Sequence, residues 1–113
     1  MIDITASAIH SALSGLAARQ RAIADNVANV ETPGFVAGRI DFEDSLQAAL
    51  AAGDPSRATV STRRSSEPAD INGNNVKLDD EVVELSETGL RYQLMVEALN
   101  TKFRLLRTSI GAH

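Results

Sequence analysis

Residues 25–35 read DNVANVETPGF, and the fold turns on whether this stretch ends a helix or opens a binding loop. Upstream of it, Ile2, Ala6, Ile9, Leu13, Leu16, Gln20, Ile23, Val27 and Val30 recur at alternating spacings of four and three. That is the a/d seam of a heptad helix, broken only by Gln20. Alanines at 8, 12, 17, 18, 22, 24 and 28 favour helix and allow close neighbours. Pro33 then stops the helix and biases Thr32 toward an extended conformation. Pro33-Gly34 suits the centre of a type II turn that redirects the chain at Phe35. Asn26 and Asn29 lie three apart on one helix face. Their amides suit either helix-end carbonyls or a neighbouring chain, and both roles stay open.

The last third repeats the period. Leu78, Val82, Leu85, Gly89, Tyr92, Val96, Leu99, Phe103, Leu106 and Ile110 again alternate four and three. Asp79, Asp80 and Glu81 complement the positive end of a helix dipole, and Arg104 and Arg107 the negative end. Val83, Leu90, Leu94, Met95, Ala98 and Leu105 lie off this seam, so the apolar face is wider than one partner helix needs.

Between these helices the pattern weakens. Residues 35–40 suit an extended segment. Asp41 is placed to cap a short helix over residues 42–52, with Phe42, Leu46, Ala49 and Leu50 on one side. Residues 53–75 are rich in Ser, Arg, Pro, Gly and Asn and read as loop, or as disordered in isolation. The predicted fold class is mainly α: two long terminal heptad helices form a coiled-coil-like layer, with a turn, a short helix and a long irregular loop between them. The segments are 1–32, 33–77 and 78–111, the terminal helices pairing as a single axial domain.

Composition narrows the function classes. The chain has 113 residues, enough for one small domain. Seventeen of its apolar residues are alanine and aromatics make up 4%. The expectation is a marginal monomer that becomes ordered in an assembly. Net charge is −4, which argues against nucleic-acid binding. Cysteine is absent, and with it any disulfide or thiolate site. No secretory signal or membrane-length apolar run is visible.

No constellation points to catalysis. His10 and His113 have no metal-ligand spacing to one another. The acidic cluster Asp79, Asp80, Glu81 and Glu84 lacks a calcium-loop glycine and reads as helix-start charge bias. Ile71-Asn72-Gly73-Asn74-Asn75 lacks the glycines and registered lysine of a phosphate loop and reads as a turn. Arg63-Arg64 reads as a solvated loop pair. Arg19 and Arg21 flank Gln20, and Arg91 lies at a similar polar break near Gly89. Pairing Gln20 with the small Gly89 is one register for the two helices; lateral or solvent-facing positions are the other reading. The expectation is no enzyme, no cofactor and no metal site.

ALSGLAARQRAIADNVANVETPGFVAGRIDFED resembles the N-terminal signature of the flagellar axial family of rod and hook proteins. Gly15-Leu16, Gln20, Asp25 to Asn29 and Thr32-Pro33-Gly34-Phe35 carry the match. In the tail, Gly73-Asn74-Asn75-Val76, Arg91-Tyr92-Gln93 and Lys102 to Thr108 resemble proximal rod proteins of the FlgB type. The resemblance covers residues 5–52 and 72–111, and departs at Glu31 and in the Arg/Ser-rich middle.

The resemblance implies a structural subunit of the flagellar basal body, exported by the flagellar type III apparatus without a cleaved signal. It implies helical polymerisation in the periplasmic rod. The implied partners are further copies of itself, a FliE-type adaptor, FlgC-type and other rod proteins, and export gate proteins; nucleic acid and membrane insertion are excluded. The expected packing seam is Ile9, Leu13, Leu16, Ile23, Val27, Val30, Val82, Leu85, Tyr92, Val96, Leu99, Phe103, Leu106 and Ile110. The turn and subunit-contact motif is Asn26, Asn29, Thr32, Pro33, Gly34 and Phe35. The alternative is a soluble helical export chaperone or another secretion-system filament subunit.

Overall fold

Asp3 starts the first helix. Its Oδ1 accepts a hydrogen bond from the Ala6 amide at 2.9 Å, the arrangement that satisfies an orphan donor at a helix start. In the computed structural model residues 3–111 are described; Ile2, at the head of the predicted seam, and His113 lie outside the described residues. The order is α1 (Ile4–Ala28), β1 (Gly38–Asp41), α2 (Glu43–Ala51), a single 3-10 turn at Pro55–Arg57, β2 (Ser61–Arg64) and α3 (Leu78–Gly111). The molecule is mainly helical and elongated, 68 × 26 × 15 Å.

α1 and α3 run antiparallel. One end is tied by Asn26 to Glu81 at 2.8 Å and the other by Lys102 to Asp3 at 2.7 Å. The Ala6 amide first, and Lys102 after it, hold the Asp3 carboxyl below its ordinary value. These ties put Gln20 about two to three residues short of Gly89, and a Cβ at Gly89 would meet nothing within 4 Å, so that suggested pairing is not the register adopted. α3 outruns α1: residues 103–111 extend past the Asp3–Lys102 tie by about 13 Å at helical rise.

Three local expectations change. α1 ends at Ala28 rather than near residue 32, because Asn29 caps it and its Nδ2 takes the Asp25 carbonyl at 2.8 Å. Asp41 does not cap α2; Phe42 occupies that position without a side-chain cap bond, and Asp41 instead accepts from Arg63 Nε at 2.8 Å. Residues 53–75 are not one irregular loop. Pro55 is buried and its carbonyl accepts from Ser11 Oγ at 2.9 Å. Residues 61–64 pair antiparallel with 38–41, Arg39 lying opposite Arg63. That like-charge pair is relieved by Glu81 on Arg39 and Asp41 on Arg63.

The core is small. Leu16, Ile40 and Phe42 form its centre, with Ala22, Leu46, Tyr92 and Met95 packed around them. Phe42 lies directly on the α1 backbone at Gly15. A Cβ there would fall 2.6 Å from Phe42 Cδ2 and closer still to Cγ and Cδ1. Only glycine admits the ring at that depth.

The face that α3 turns to α1 differs from the sequence seam. Glu81 and Thr88 are buried, and Tyr92, Met95, Val96, Leu99 and Lys102 are half-buried. Val82 and Leu85, which the heptad pattern placed inside, are 53% and 45% exposed. A step of one residue rotates a helix position by about 100°, and α3 is rotated so that Glu81 meets Asn26 and Arg39. Phe103, Leu106 and Ile110 are exposed because they lie beyond the tie to Asp3.

Candidate functional site

Gly34 has φ +74°, and the Phe35 amide donates to the Thr32 carbonyl at 3.2 Å. That is the type II turn expected from Pro33-Gly34. Its surroundings come from far along the chain. The Gly34 amide donates to the Asn72 carbonyl at 2.9 Å, and the Asn75 amide to the Phe35 carbonyl at 3.2 Å. Gly73, with φ +85°, lies so close that a Cβ would sit 3.2 Å from Gly34 Cα.

Two asparagines clamp this corner from the segment that leads into α3. Asn74 Nδ2 donates to the carbonyls of Asn29 and Thr32, both at 2.8 Å, while its Oδ1 accepts from the Val76 amide. Asn75 Oδ1 accepts from the Ala37 amide at 2.7 Å, and its Nδ2 donates to the Glu67 carbonyl at 3.0 Å. Both residues are buried. Buried amides of this kind are stable only when their donors and acceptors are paired, so the Thr-Pro-Gly-Phe and Gly-Asn-Asn-Val stretches form one unit.

A second polar network lies beneath it. Asn26 is fully buried. Its Nδ2 donates to the Gly38 carbonyl at 3.0 Å and to Glu81 Oε1 at 2.8 Å, and its Oδ1 accepts from the Gly38 amide at 2.8 Å. Glu81 is also fully buried and receives both terminal nitrogens of Arg39, at 3.1 and 2.9 Å. α1, β1 and α3 are thus tied at one point. A forked guanidinium–carboxylate pair is among the strongest side-chain hydrogen bonds.

A third tie joins α1 to α2. Arg19 donates to both Glu43 oxygens at 2.7 and 2.8 Å and to the Ile40 carbonyl at 2.7 Å. Its guanidinium lies 4.9 Å from the centre of the Phe42 ring, within cation–π range. Arg91 of α3 approaches the same carboxylate at 3.9 Å. The Arg19 hydrogen bonds hold the Glu43 carboxyl at about 2, against an ordinary value of 4.5. Because the folded value is the lower one, this pair stabilises fully above pH 4.5 and loses its contribution as pH falls toward 2. Glu43 is half exposed, so after solvent screening the expected loss is about 1 kcal/mol. Acid unfolding followed by circular dichroism should show this pH-dependent component in the parent and lose it in Glu43→Gln.

The sequence-predicted positions divide. Leu16 and Ile23 are buried; Ile9, Leu13, Val27, Val30, Tyr92, Val96 and Leu99 are half-buried. Val82, Leu85, Phe103, Leu106 and Ile110 are exposed. Thr32, Pro33 and Gly34 are exposed on the corner and Phe35 is half-buried. Asn26 is corrected: it is turned inward and its amide is committed within the chain. Asn29 caps α1, and its Oδ1 accepts from Thr32 Oγ1 at 3.1 Å. Among the described residues no cluster of side chains could hold a metal ion, and no helix is long and apolar enough to cross a membrane.

The first of the two stretches that build this corner closes the segment by which relatives are recognised. The family model for flagella basal body rod proteins matches residues 9–35, from the second turn of α1 through the type II turn. The flagellar basal body rod protein FlgB of Borreliella burgdorferi is 32% identical, over 76% of this chain and 80% of its own. This chain belongs to the FlgB family of flagellar basal body rod proteins. FlgB of Bacillus subtilis is 29% identical over 88% of each chain, and FlgB of Escherichia coli K12 28% over 82% and 83%. The FlgB-family chain is therefore a structural subunit of the basal body rod, not an enzyme, and the export-chaperone alternative falls away.

Sequence reasoning missed Arg39, Phe42 against Gly15, and the inward role of Glu81. Glu81 offered one signal: it sits seven residues before Thr88 and eleven before Tyr92, a period matching the covered stripe. Asn74 and Asn75 were visible only as part of a motif.

Proposed function

We propose that this subunit is exported unfolded by the flagellar type III apparatus and polymerises helically in the periplasmic part of the rod, linking the export gate and MS-ring region to the rest of the rod. Its neighbours there are further copies of itself, a FliE-type adaptor, FlgC-type and other rod proteins, and export gate proteins. The observation that supports this most is the surplus apolar surface of α3. Val82, Val83, Leu90, Phe103, Leu105 and Ile110 are each at least half exposed, on one helix that already pairs with α1. Exposed apolar surface on this scale marks contact with other chains. Heterologous contacts that do not close on themselves build filaments. In this reading α1 and α3 supply a coiled-coil layer, and the exposed corner at Thr32, Pro33 and Gly34 adds a further contact.

Leu106→Asp tests it. Leu106 lies beyond the cover of α1, so the variant chain should keep the helicity of the parent. It is expected to be lost from the basal-body fraction, with swimming reduced at least tenfold in a motility assay, because a buried unpaired carboxylate costs several kcal/mol at an interface. Normal swimming with the variant in the rod would remove the α3 overhang from the assembly surface.

A further inference from the structure

One element of the corner carries chemistry of its own. Asn72-Gly73 is the single Asn-Gly pair in the chain. Asn72 is exposed, and glycine leaves the following peptide nitrogen unshielded. Such a pair can react with itself. The Gly73 nitrogen, once deprotonated, attacks Asn72 Cγ; the new N–Cγ bond closes a succinimide ring, the Cγ–Nδ2 bond breaks, and ammonia leaves. Water then opens either ring carbonyl, giving aspartate or isoaspartate. Neither oxidant nor cofactor is needed.

The closed corner opposes this reaction at each point. The Gly73 N–H donates to the Asp70 carbonyl at 2.9 Å, which retains its proton and fixes the peptide. Asn72 Oδ1 accepts from the Asn74 amide at 3.1 Å, orienting the side chain. The Asn72 carbonyl accepts from Gly34 N, and the Gly73 backbone is packed against Gly34. Ring closure has to rotate the peptide between residues 72 and 73, which these contacts hold. The same contacts are what the product disrupts. Isoaspartate inserts a methylene into the main chain, moving the Asn72 carbonyl off Gly34 and displacing Asn74 from the carbonyls of Asn29 and Thr32.

We propose that Asn72 is a self-deamidation site gated by the corner. It is held unreactive while Thr32–Phe35 and residues 70–75 stay interlocked, reacts when they separate, and unlatches the corner irreversibly once it has reacted. Time spent unfolded is thereby recorded in the chain.

Peptide mass mapping of isolated basal bodies, held at mildly alkaline pH with and without urea, tests this. In urea, Asn72 should convert to aspartate and isoaspartate ahead of every other asparagine. In intact basal bodies it should convert at least about tenfold more slowly, a factor equivalent to about 1.4 kcal/mol of local opening. Asn74→Ala should raise the rate in the purified chain relative to the parent in the same buffer, and Asn72→Gln should abolish the conversion in urea. Equal rates in intact and urea-treated basal bodies would remove the gate. No conversion at Asn72 in urea would remove the site.

Discussion

Gly15→Ala is expected to lower the stability of the chain by about 2 kcal/mol, although alanine is the better helix former. Propensity alone favours alanine by about 1 kcal/mol at a helix interior. The added methyl, however, would overlap the Phe42 ring at Cγ, Cδ1 and Cδ2. The ring cannot tilt away freely, since it is buried with Leu16 and Ile40 and carries the Arg19 guanidinium over its face. Overpacking of this kind costs about 1–3 kcal/mol and sometimes more. The check is the urea midpoint followed by circular dichroism. Phe42→Leu should relieve the clash, so that the double variant is less destabilised than the two single changes summed. A Gly15→Ala chain as stable as the parent would mean that Phe42 does not seat on α1 as described.

Glu81→Ala is expected to cost more, about 3 kcal/mol, because it strips the partner from a partly buried guanidinium. Arg39 has 24% of its side chain exposed and Glu81 none. Removing one member of a buried pair leaves the other charge uncompensated, typically at about 3–5 kcal/mol; the partial exposure of Arg39 places the value at the lower end. Asn26 Nδ2 keeps only its bond to the Gly38 carbonyl. Asp80→Ala, one residue earlier and exposed, should be close to neutral. The contrast separates two meanings of the acidic run 79–81. If it served only as helix-start charge, the two substitutions would cost similar small amounts. Calorimetric or urea unfolding of both variants distinguishes them.

Much of the architecture is legible in the sequence because it rests on local chemistry. The heptad spacing of residues 6–27 gives α1, and Pro33-Gly34 gives a type II turn with the positive φ that glycine supplies. The short helix near residue 43 follows from the spacing of Phe42, Leu46 and Ala49. What is not legible depends on partners far along the chain. Arg39 and Glu81 are 42 residues apart, and Asn74 reaches back 45 residues to Asn29. No periodicity announces such pairs.

The α3 face is a different kind of miss. Apolar periodicity reports which stripe is apolar, not which stripe faces a given partner. Here a stripe with buried Glu81 and Thr88 and half-buried Lys102 faces α1, while Val82, Leu85 and Phe103 face outward. A polar residue on the inner stripe is tolerated because Asn26, Arg39 and Asp3 satisfy it. The asparagines of the opening stretch were equally ambiguous, since an amide that caps, clamps or reaches a neighbour looks the same in one dimension.

The outer face of α3 is uncovered in the single chain, and the proposed assembly requires it to be covered in the rod. The chain has no cysteine, so Val83→Cys and Leu106→Cys each introduce a unique thiol, at positions 62% and 43% exposed. Maleimide labelling of the purified variants and of basal bodies that contain them measures the cover directly. Both thiols should label readily in the purified chain and be strongly protected in the rod. Equal labelling of both in the two states would show that the outer face of α3 is not an assembly surface.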